Sequence, residues 1–226
     1  MTTEVEVVHV FTDDQGRHGN PLAIVDSAAV PAPDRQEVAA RWGFSATVFV
    51  DLPAEGADSA RAAIFTPQVE LPFAGHPTVG LAWWLAEHGR PVRTLHVSAG
   101  PVEIRRSGHS TWAKALVDWA PRFALVPLET PADVDRARPD DYPAGPHYLW
   151  AWIDEFDARV RARMFAPALG IREDEATGAA AVRLTAHLRH ALLVEQGRGS
   201  ILRTTFGSQG WIEVGGLVRA GRSRML

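Results

Sequence analysis

The sequence predicts an α+β protein built of two similar lobes that face each other across a cleft. Three observations predict it. First, short β-rich runs bounded by Gly, Pro, Asn and Asp alternate with only three helical patterns. Second, two of the helices open on a repeated phrase. A strand, Phe65-Thr66-Pro67, an acidic crossing and Gly75 lead into one; a strand, Phe165-Ala166-Pro167, an acidic crossing and Thr177-Gly178 lead into the other. Third, residues 120–146 change character, with Pro121, Pro127, Pro131, Pro139, Pro143 and Pro146 interspersed with Asp133, Asp135, Asp140 and Asp141. That stretch reads as a linker, placing an N-terminal lobe over 1–122 and a C-terminal lobe over 123–226.

The elements follow in order. Residues 5–11 read as a first strand, 13–21 as a polar turn and 22–25 as the returning strand. Residues 31–42 carry Val38, Ala39 and Trp42 at helical spacing. Strands are expected over 47–50 and 62–65. Residues 77–88 form a helix that is apolar nearly all round (Val79, Leu81, Ala82, Trp83, Trp84, Leu85) and stopped by Gly89; such a helix is enclosed by other elements. Strands over 94–98, 102–106 and 112–119 follow. After the linker come strands over 148–153 and 160–165, a helix over 178–193, and strands over 200–205, 209–214 and 217–220.

Composition narrows the function. The 226 residues are 46% hydrophobic and 22% charged, as in an ordinary globular protein with a real core. The net charge is −4, and Arg105-Arg106 and Arg219, Arg222 and Arg224 are too sparse for a phosphate-tracking surface, so no nucleic-acid partner is expected. No run approaches the ~20 apolar residues of a membrane helix, and Met1-Thr2-Thr3-Glu4-Val5 lacks the basic-then-apolar order of a secretory signal. A cytoplasmic protein without a membrane partner is the expectation. The absence of cysteine removes disulfides, thiolate metal sites and two-thiol racemase chemistry. The nine histidines are scattered, and His187 and His190 read as a solvated helix face, so no metal site is expected. Most of the eight tryptophans read as core packing rather than a ligand surface.

The residues with chemical promise lie at the helix starts. Pro67 and Pro72 interrupt regular structure before Gly75-His76-Pro77-Thr78, and Pro77 suits a first helical turn. This delivers the His76 imidazole to the positive end of a helix, where free backbone N–H groups hold an anion such as a carboxylate. The alternative for His76 is a hydrogen-bonded core histidine or cap. In the second phrase, Glu173, Asp174 and Glu175 precede a helix start. For the two glutamates the simpler reading is compensation of the helix dipole. Thr177-Gly178-Ala179 is small enough for a ligand to approach the amides. Asn20, before Pro21, serves either the turn or the cleft.

Taken together, Gly19-Asn20-Pro21, Phe65-Thr66-Pro67-x-x-Glu70 leading to Gly75-His76-Pro77-Thr78, Phe165-Ala166-Pro167 leading to Glu173-Asp174-x-Ala176-Thr177-Gly178, and the late Gln196-Gly197 and Val214-Gly215-Gly216 give a chain that resembles the phenazine-biosynthesis PhzF-like family. The resemblance implies the diaminopimelate epimerase-like fold: two pseudo-symmetric lobes, each a curved sheet around a central helix, with the active site between them. It implies an isomerase that moves a proton on a small carboxylate or amino-acid-like metabolite in specialised metabolism, with neither metal nor organic cofactor, commonly as a homodimer. On that basis His76 and Asp174 are the candidate catalytic pair. Asn20, Ser45, Ala46, Gly75, Thr177, Gly178 and Ala179 are the candidate substrate-binding residues.

The chain departs from the family pattern in three places. The phrase Ser-Glu-Thr-x-Phe reads Ser45-Ala46-Thr47-Val48-Phe49, so the glutamate that shuttles the proton in the family is a methyl group here. Asp-Pro-Ala-Thr-Gly reads Asp174-Glu175-Ala176-Thr177-Gly178, with Glu175 in place of proline. The region before Tyr148 is short, so a trimmed second lobe is expected. A positioned acid/base contributes ~10²–10⁴ in rate, and three accounts of its loss stay open. His76 and Asp174 carry the chemistry, with Glu175 or the substrate's own carboxylate as substitute base. The protein catalyses a different step that needs no carboxylate shuttle. Or it is a silent relative that binds a small acid or serves assembly, in which case a trimmed lobe would leave an exposed apolar face or sheet edge.

Overall fold

Strands β1 (Glu4–Thr12) and β2 (Asn20–Asp26) form the expected antiparallel hairpin in the structure, a computed structural model that describes residues 4–225. The first three residues of the N-terminal segment read above lie outside the described residues. Helix α1 (Arg35–Trp42) leads to β3 (Ala46–Asp51), which pairs in parallel with β2. Then come β4 (Ser59–Phe65), the short β5 (Glu70–Leu71), helix α2 (Gly75–Glu87), β6 (Thr94–Val97), β7 (Gly100–Ser107) and β8 (Ser110–Leu116).

These strands do not end in an open edge. The order runs β1-β2-β3-β4-β6-β7-β8, and β15 (Trp211–Ala220) pairs with both β8 and β1. The sheet thus closes on itself and leaves no free edge among those strands. Helix α2 packs against β1, β2, β3, β8 and β15, and its residues from Gly75 to Ala82 and Leu85 are buried. The core mixes Val79, Leu81 and Leu85 of the helix with inward residues such as Val10, Leu22, Val48 and Ala113. Helix α1 lies on the other face, where Ala39 meets Val7, Ala23, Val25 and Phe49.

Strand β15 also starts the second sheet. From it the order continues through β14 (Ser200–Phe206), β13 (Leu193–Gln196), β11 (Arg159–Ala166), β10 (His147–Asp154) and β9 (Ala124–Pro127), with β12 (Ile171–Asp174) on β11. Helix α4 (Gly178–Leu188) packs on β14 and β15, as α2 packs in the first lobe. Helix α3 (Pro131–Arg136) backs this sheet, with Val134 against Leu149, Ala151 and Phe165, as α1 backs the first. Two consecutive glycines let β15 serve both lobes. A Cβ on Gly215 would enter the Trp112 ring at 2.4 Å, and one on Gly216 would meet Phe11 at 2.8 Å. Strand β16 (Arg224–Met225) adds to β1.

Several expectations are corrected. Residues 120–146 are not a bare linker: they hold β9, paired in parallel with β10, and α3 with a Thr130–Asp133 capping box. The helix expected to reach 193 stops at Leu188, because Arg189 turns left-handed (φ 56°), and β13 begins at Leu193. The strands expected over 209–214 and 217–220 are one strand, β15. The strand expected to reach 119 ends at Leu116 in a short 3-10 turn. Among the described residues, no helix is long and apolar enough to cross a membrane.

Candidate active site

The two central helices meet tip to tip. A Cβ placed on Gly75 would lie 2.9 Å from Cα of Gly178, and one on Gly178 would lie 3.0 Å from Cα of Gly75. Only glycine on both sides permits this approach. Neither α2, after Ala74, nor α4, after Thr177, has a side-chain cap on its first turn. Two positive helix ends therefore share one place with open backbone donors, an arrangement that favours an anion.

A cavity of about 240 Å³ opens at this junction. Ser45, Ala46, Gly75 and His76 line it from the first lobe, and Asp174, Thr177, Gly178 and Ala179 from the second. The remaining wall is largely apolar, with Val69, Leu71, Phe73, Phe123, Met164 and Ile171. Val69 and Leu169 flank it at half-exposed positions on the two repeated phrases. The volume is below the ~300–1,000 Å³ of pockets for drug-sized ligands, which fits a small metabolite.

The two titratable groups in the wall are both 7% exposed. Nε2 of His76 is buried and has no hydrogen-bond partner among the described residues. Burial lowers its pKa to about 3, so the imidazole is neutral at pH 7. Burial raises Asp174 to about 6; Thr177 and Asn20 oppose the rise by donating to the carboxylate, while Glu175 and Glu173 add to it by like charge. In a cavity that also holds a neutral imidazole, a carboxyl that changes charge near physiological pH can exchange protons with a bound acid.

Asp174 is held by a network crossing the lobes. Asn20 Nδ2 donates to its Oδ1 at 2.7 Å, and Thr177 Oγ1 donates to its Oδ2 at 2.6 Å. Ser45 Oγ donates to Asn20 Oδ1 at 2.8 Å, so a residue of the cavity wall also sets Asn20. Gln196 Nε2 donates to the Asp174 carbonyl and to Thr177 Oγ1, both at 2.9 Å. Its Oε1 accepts from the Thr177 backbone N–H and from Tyr148 Oη, both at 3.0 Å. The buried Tyr148 hydroxyl is pushed well above its usual pKa by burial and by Asp174, so it remains a donor.

Of the residues singled out in the sequence, His76, Asp174, Ser45, Ala46, Gly75, Thr177, Gly178 and Ala179 share the cavity wall. Asn20 does not reach that wall; it stands behind Asp174 as its donor. Glu175, the candidate substitute base, faces away: its carboxylate accepts from Arg198 and Ser200. Gln196 and Tyr148 were not singled out as site residues. Gln196 lay within the Gln196-Gly197 phrase, whereas nothing local to Tyr148 marks it. His187 and His190 are exposed, and His190 lies beyond the end of α4.

Comparison with known proteins gives a consistent picture. A family model described as phenazine biosynthesis-like protein matches residues 8–137 and 108–210. The chain is 31% identical over 217 residues to a trans-2,3-dihydro-3-hydroxyanthranilate isomerase of Pseudomonas fluorescens, covering 80% of this chain and 78% of that protein. Among solved structures, a Bacillus anthracis phenazine biosynthesis protein of the PhzF family superposes with TM-score 0.77 at 22% identity, covering 100% of this chain and 99% of the other. A hydroxyproline epimerase from Agrobacterium vitis superposes with TM-score 0.65 at 14% identity, covering 100% and 92%.

Proposed function

Because the chain belongs to the phenazine biosynthesis-like PhzC-PhzF family, and several of its relatives are named isomerases, we propose that it moves a proton on a small carboxylate metabolite without metal or organic cofactor. The carrying observation is the pairing, in one cavity, of an Asp174 carboxyl poised near neutrality with two uncapped helix ends in contact. In this reading the substrate carboxylate rests on the amides at Gly75, His76, Gly178 and Ala179. Asp174 takes a proton from a saturated carbon next to a double bond conjugated with that carboxylate. The C–H electron pair moves into the conjugated system, and negative charge gathers on the carboxylate oxygens facing the helix ends. The same carboxyl then returns the proton to a different carbon, so the double bond moves and the atoms balance. His76, neutral, orients the substrate by hydrogen bonding without adding a fixed charge. The apolar wall favours a substrate body with few polar groups.

Ala46 favours a second reading, in which the chain binds a small acid and does no chemistry. Solvent-deuterium incorporation decides between them, with trans-2,3-dihydro-3-hydroxyanthranilate and a panel of small unsaturated carboxylates as probes. The enzyme reading expects exchange by the protein as it stands and a loss of ~10²–10⁴ in Asp174→Asn. Exchange by Ala46→Glu alone would establish the silent-relative reading instead. We further propose a homodimer, in keeping with the family resemblance, and, from the composition and charge of the sequence, a cytoplasmic location with no nucleic-acid partner.

A further inference from the structure

We propose that Glu175 is a positioning residue: its carboxylate fastens the turn over 197–200 to Gly19 of the opposite lobe and so holds Asp174 against Asn20. Its catalytic consequence rests on the reading of Asp174 as the proton carrier. The geometry is specific. Glu175 Oε1 accepts from the Arg198 backbone N–H at 3.0 Å and from Ser200 Oγ at 2.9 Å. Ser200 Oγ in turn accepts the Gly19 backbone N–H at 3.0 Å. One residue along, Asn20 Nδ2 reaches Asp174 Oδ1 at 2.7 Å and the Ala176 carbonyl at 2.9 Å. Gly19-Asn20 of the first lobe is thus stitched to Asp174-Glu175-Ala176 of the second by two adjacent arms.

The arm is built into the fold on both sides. Ser200 is fully buried, and the Glu175 side chain is 13% exposed. Gly197 has φ +61°, and a Cβ there would meet the Glu175 carbonyl at 2.6 Å and its carboxylate at 2.8 Å. From behind, the Arg161 guanidinium donates to the Gly197 carbonyl. The Arg198 side chain also bonds Glu175, but it is 80% exposed and contributes little. A proline, which the family phrase carries at this position, has no acceptor to offer Ser200 or Arg198.

The carboxylate also places a like charge next to Asp174. The other groups around Asp174 are accounted for. Glu173 on the same strand is paired with Arg163 of β11, and Arg161 of β11 is engaged by Asp135 and backbone carbonyls. Tyr148 of β10 and His76 of α2 are neutral. Glu175 therefore acts on Asp174 in two separable ways, by hydrogen bonding through the turn and by charge.

Amide hydrogen exchange and a carbon-13 titration of the Asp174 carboxyl, assigned with Asp174→Asn, separate the two. Neither needs a substrate, so silence in the deuterium assay would remove the functional reading without deciding this one. Glu175→Ala is expected to speed exchange of the Arg198 and Gly19 amides at least ~10-fold, about 1.4 kcal/mol of local opening. Glu175→Gln keeps an acceptor and is expected to restore slow exchange, while the Asp174 midpoint falls by ~0.5 pH unit or more as the like charge is lost. Ser200→Ala, which keeps the charge, is expected to free the Gly19 amide and leave the charge effect in place. Unchanged Arg198 and Gly19 exchange in Glu175→Ala and Ser200→Ala would overturn the latch. An Asp174 midpoint that does not move in Glu175→Gln would overturn the coupling to Asp174.

Discussion

Asp174 and His76 are buried to the same extent and their pKa values move in opposite directions, each towards the neutral form, and this has a thermodynamic signature. Asp174 rises from 3.8 to about 6, so between those values the native state keeps a proton that the unfolded chain has lost. Its contribution to stability is full below pH 3.8 and is lost as pH rises through about 6. His76 falls from 6.5 to about 3, so its contribution is full above pH 6.5 and is lost as pH falls towards 3. Over the shared range the slopes oppose each other, and the pair leaves stability nearly flat. Asp174→Asn removes one side of this balance. It is expected to slow proton transfer by ~10²–10⁴ yet stabilise the protein at pH 7.5 by roughly 2–3 kcal/mol, with little gain at pH 4. Urea denaturation at the two pH values checks it; an equal gain at both would show that the carboxylate carries no burial cost. Much of this site was legible residue by residue, because His76, Asp174, Ala46 and the small residues near Gly178 stand in contiguous phrases. Gln196 and Tyr148 were harder to see as site residues, since strand pairing between distant parts of the chain is what brings Gln196 to Asp174 and Thr177, and Tyr148 to Gln196.

At the level of elements, the contact of α2 with α4 is the least tolerant feature of the site. Gly75→Ala or Gly178→Ala puts a methyl group inside ordinary contact with the backbone of the other helix, whose closest atoms would stand 2.9 Å and 3.0 Å away. Backbone cannot rotate aside as a side chain can, so the helix tips must part. Each substitution is expected to cost about 1–3 kcal/mol and to weaken binding of a simple carboxylate such as acetate or benzoate, read by denaturation and by calorimetry. A stable, tightly binding Gly75→Ala protein would show that the two helix ends do not act as one anion site. The helices themselves were legible because Gly-His-Pro-Thr and Thr-Gly-Ala mark their starts. The far end of α4 was not: Arg189, rather than glycine, takes the left-handed position, and apolar Leu192-Leu193 looks like a continuation of the helix while Leu193 already belongs to β13. The stretch over 120–146 misled for a related reason. Two of its prolines, Pro127 and Pro131, sit at the end of β9 and the start of α3, where a missing N–H does no harm, so a high proline content coexists with regular structure.

Across the whole molecule, the repeat seen in the sequence is a repeat in space: strand, crossing, helix tip, with one small helix backing each sheet. The strand shared between the halves could not be read from the repeat. Residues 211–220 follow the second lobe in the chain, yet they close the ring of the first by pairing Val214 with Ala113 and Val218 with Val10, while also pairing with β14. Removing β15 would expose the edges of β1, β8 and β14 and one wall of both central helices at once. Neither lobe can therefore keep its core while the other unfolds. The expected consequence is a single cooperative transition in urea, despite a chain of 226 residues with two sheet-bearing lobes. Two tryptophan sets report on the lobes separately: Trp112, Trp119 and Trp211 around the first ring, and Trp150 with Trp152, 5.5 Å apart, in the second sheet. Fluorescence of a Trp150→Phe, Trp152→Phe variant should follow the first lobe and far-ultraviolet circular dichroism the whole chain, with coincident midpoints. If the second lobe melted first, leaving the ring intact, β15 would be held by the first lobe alone, and the cleft that carries the site would open without global unfolding.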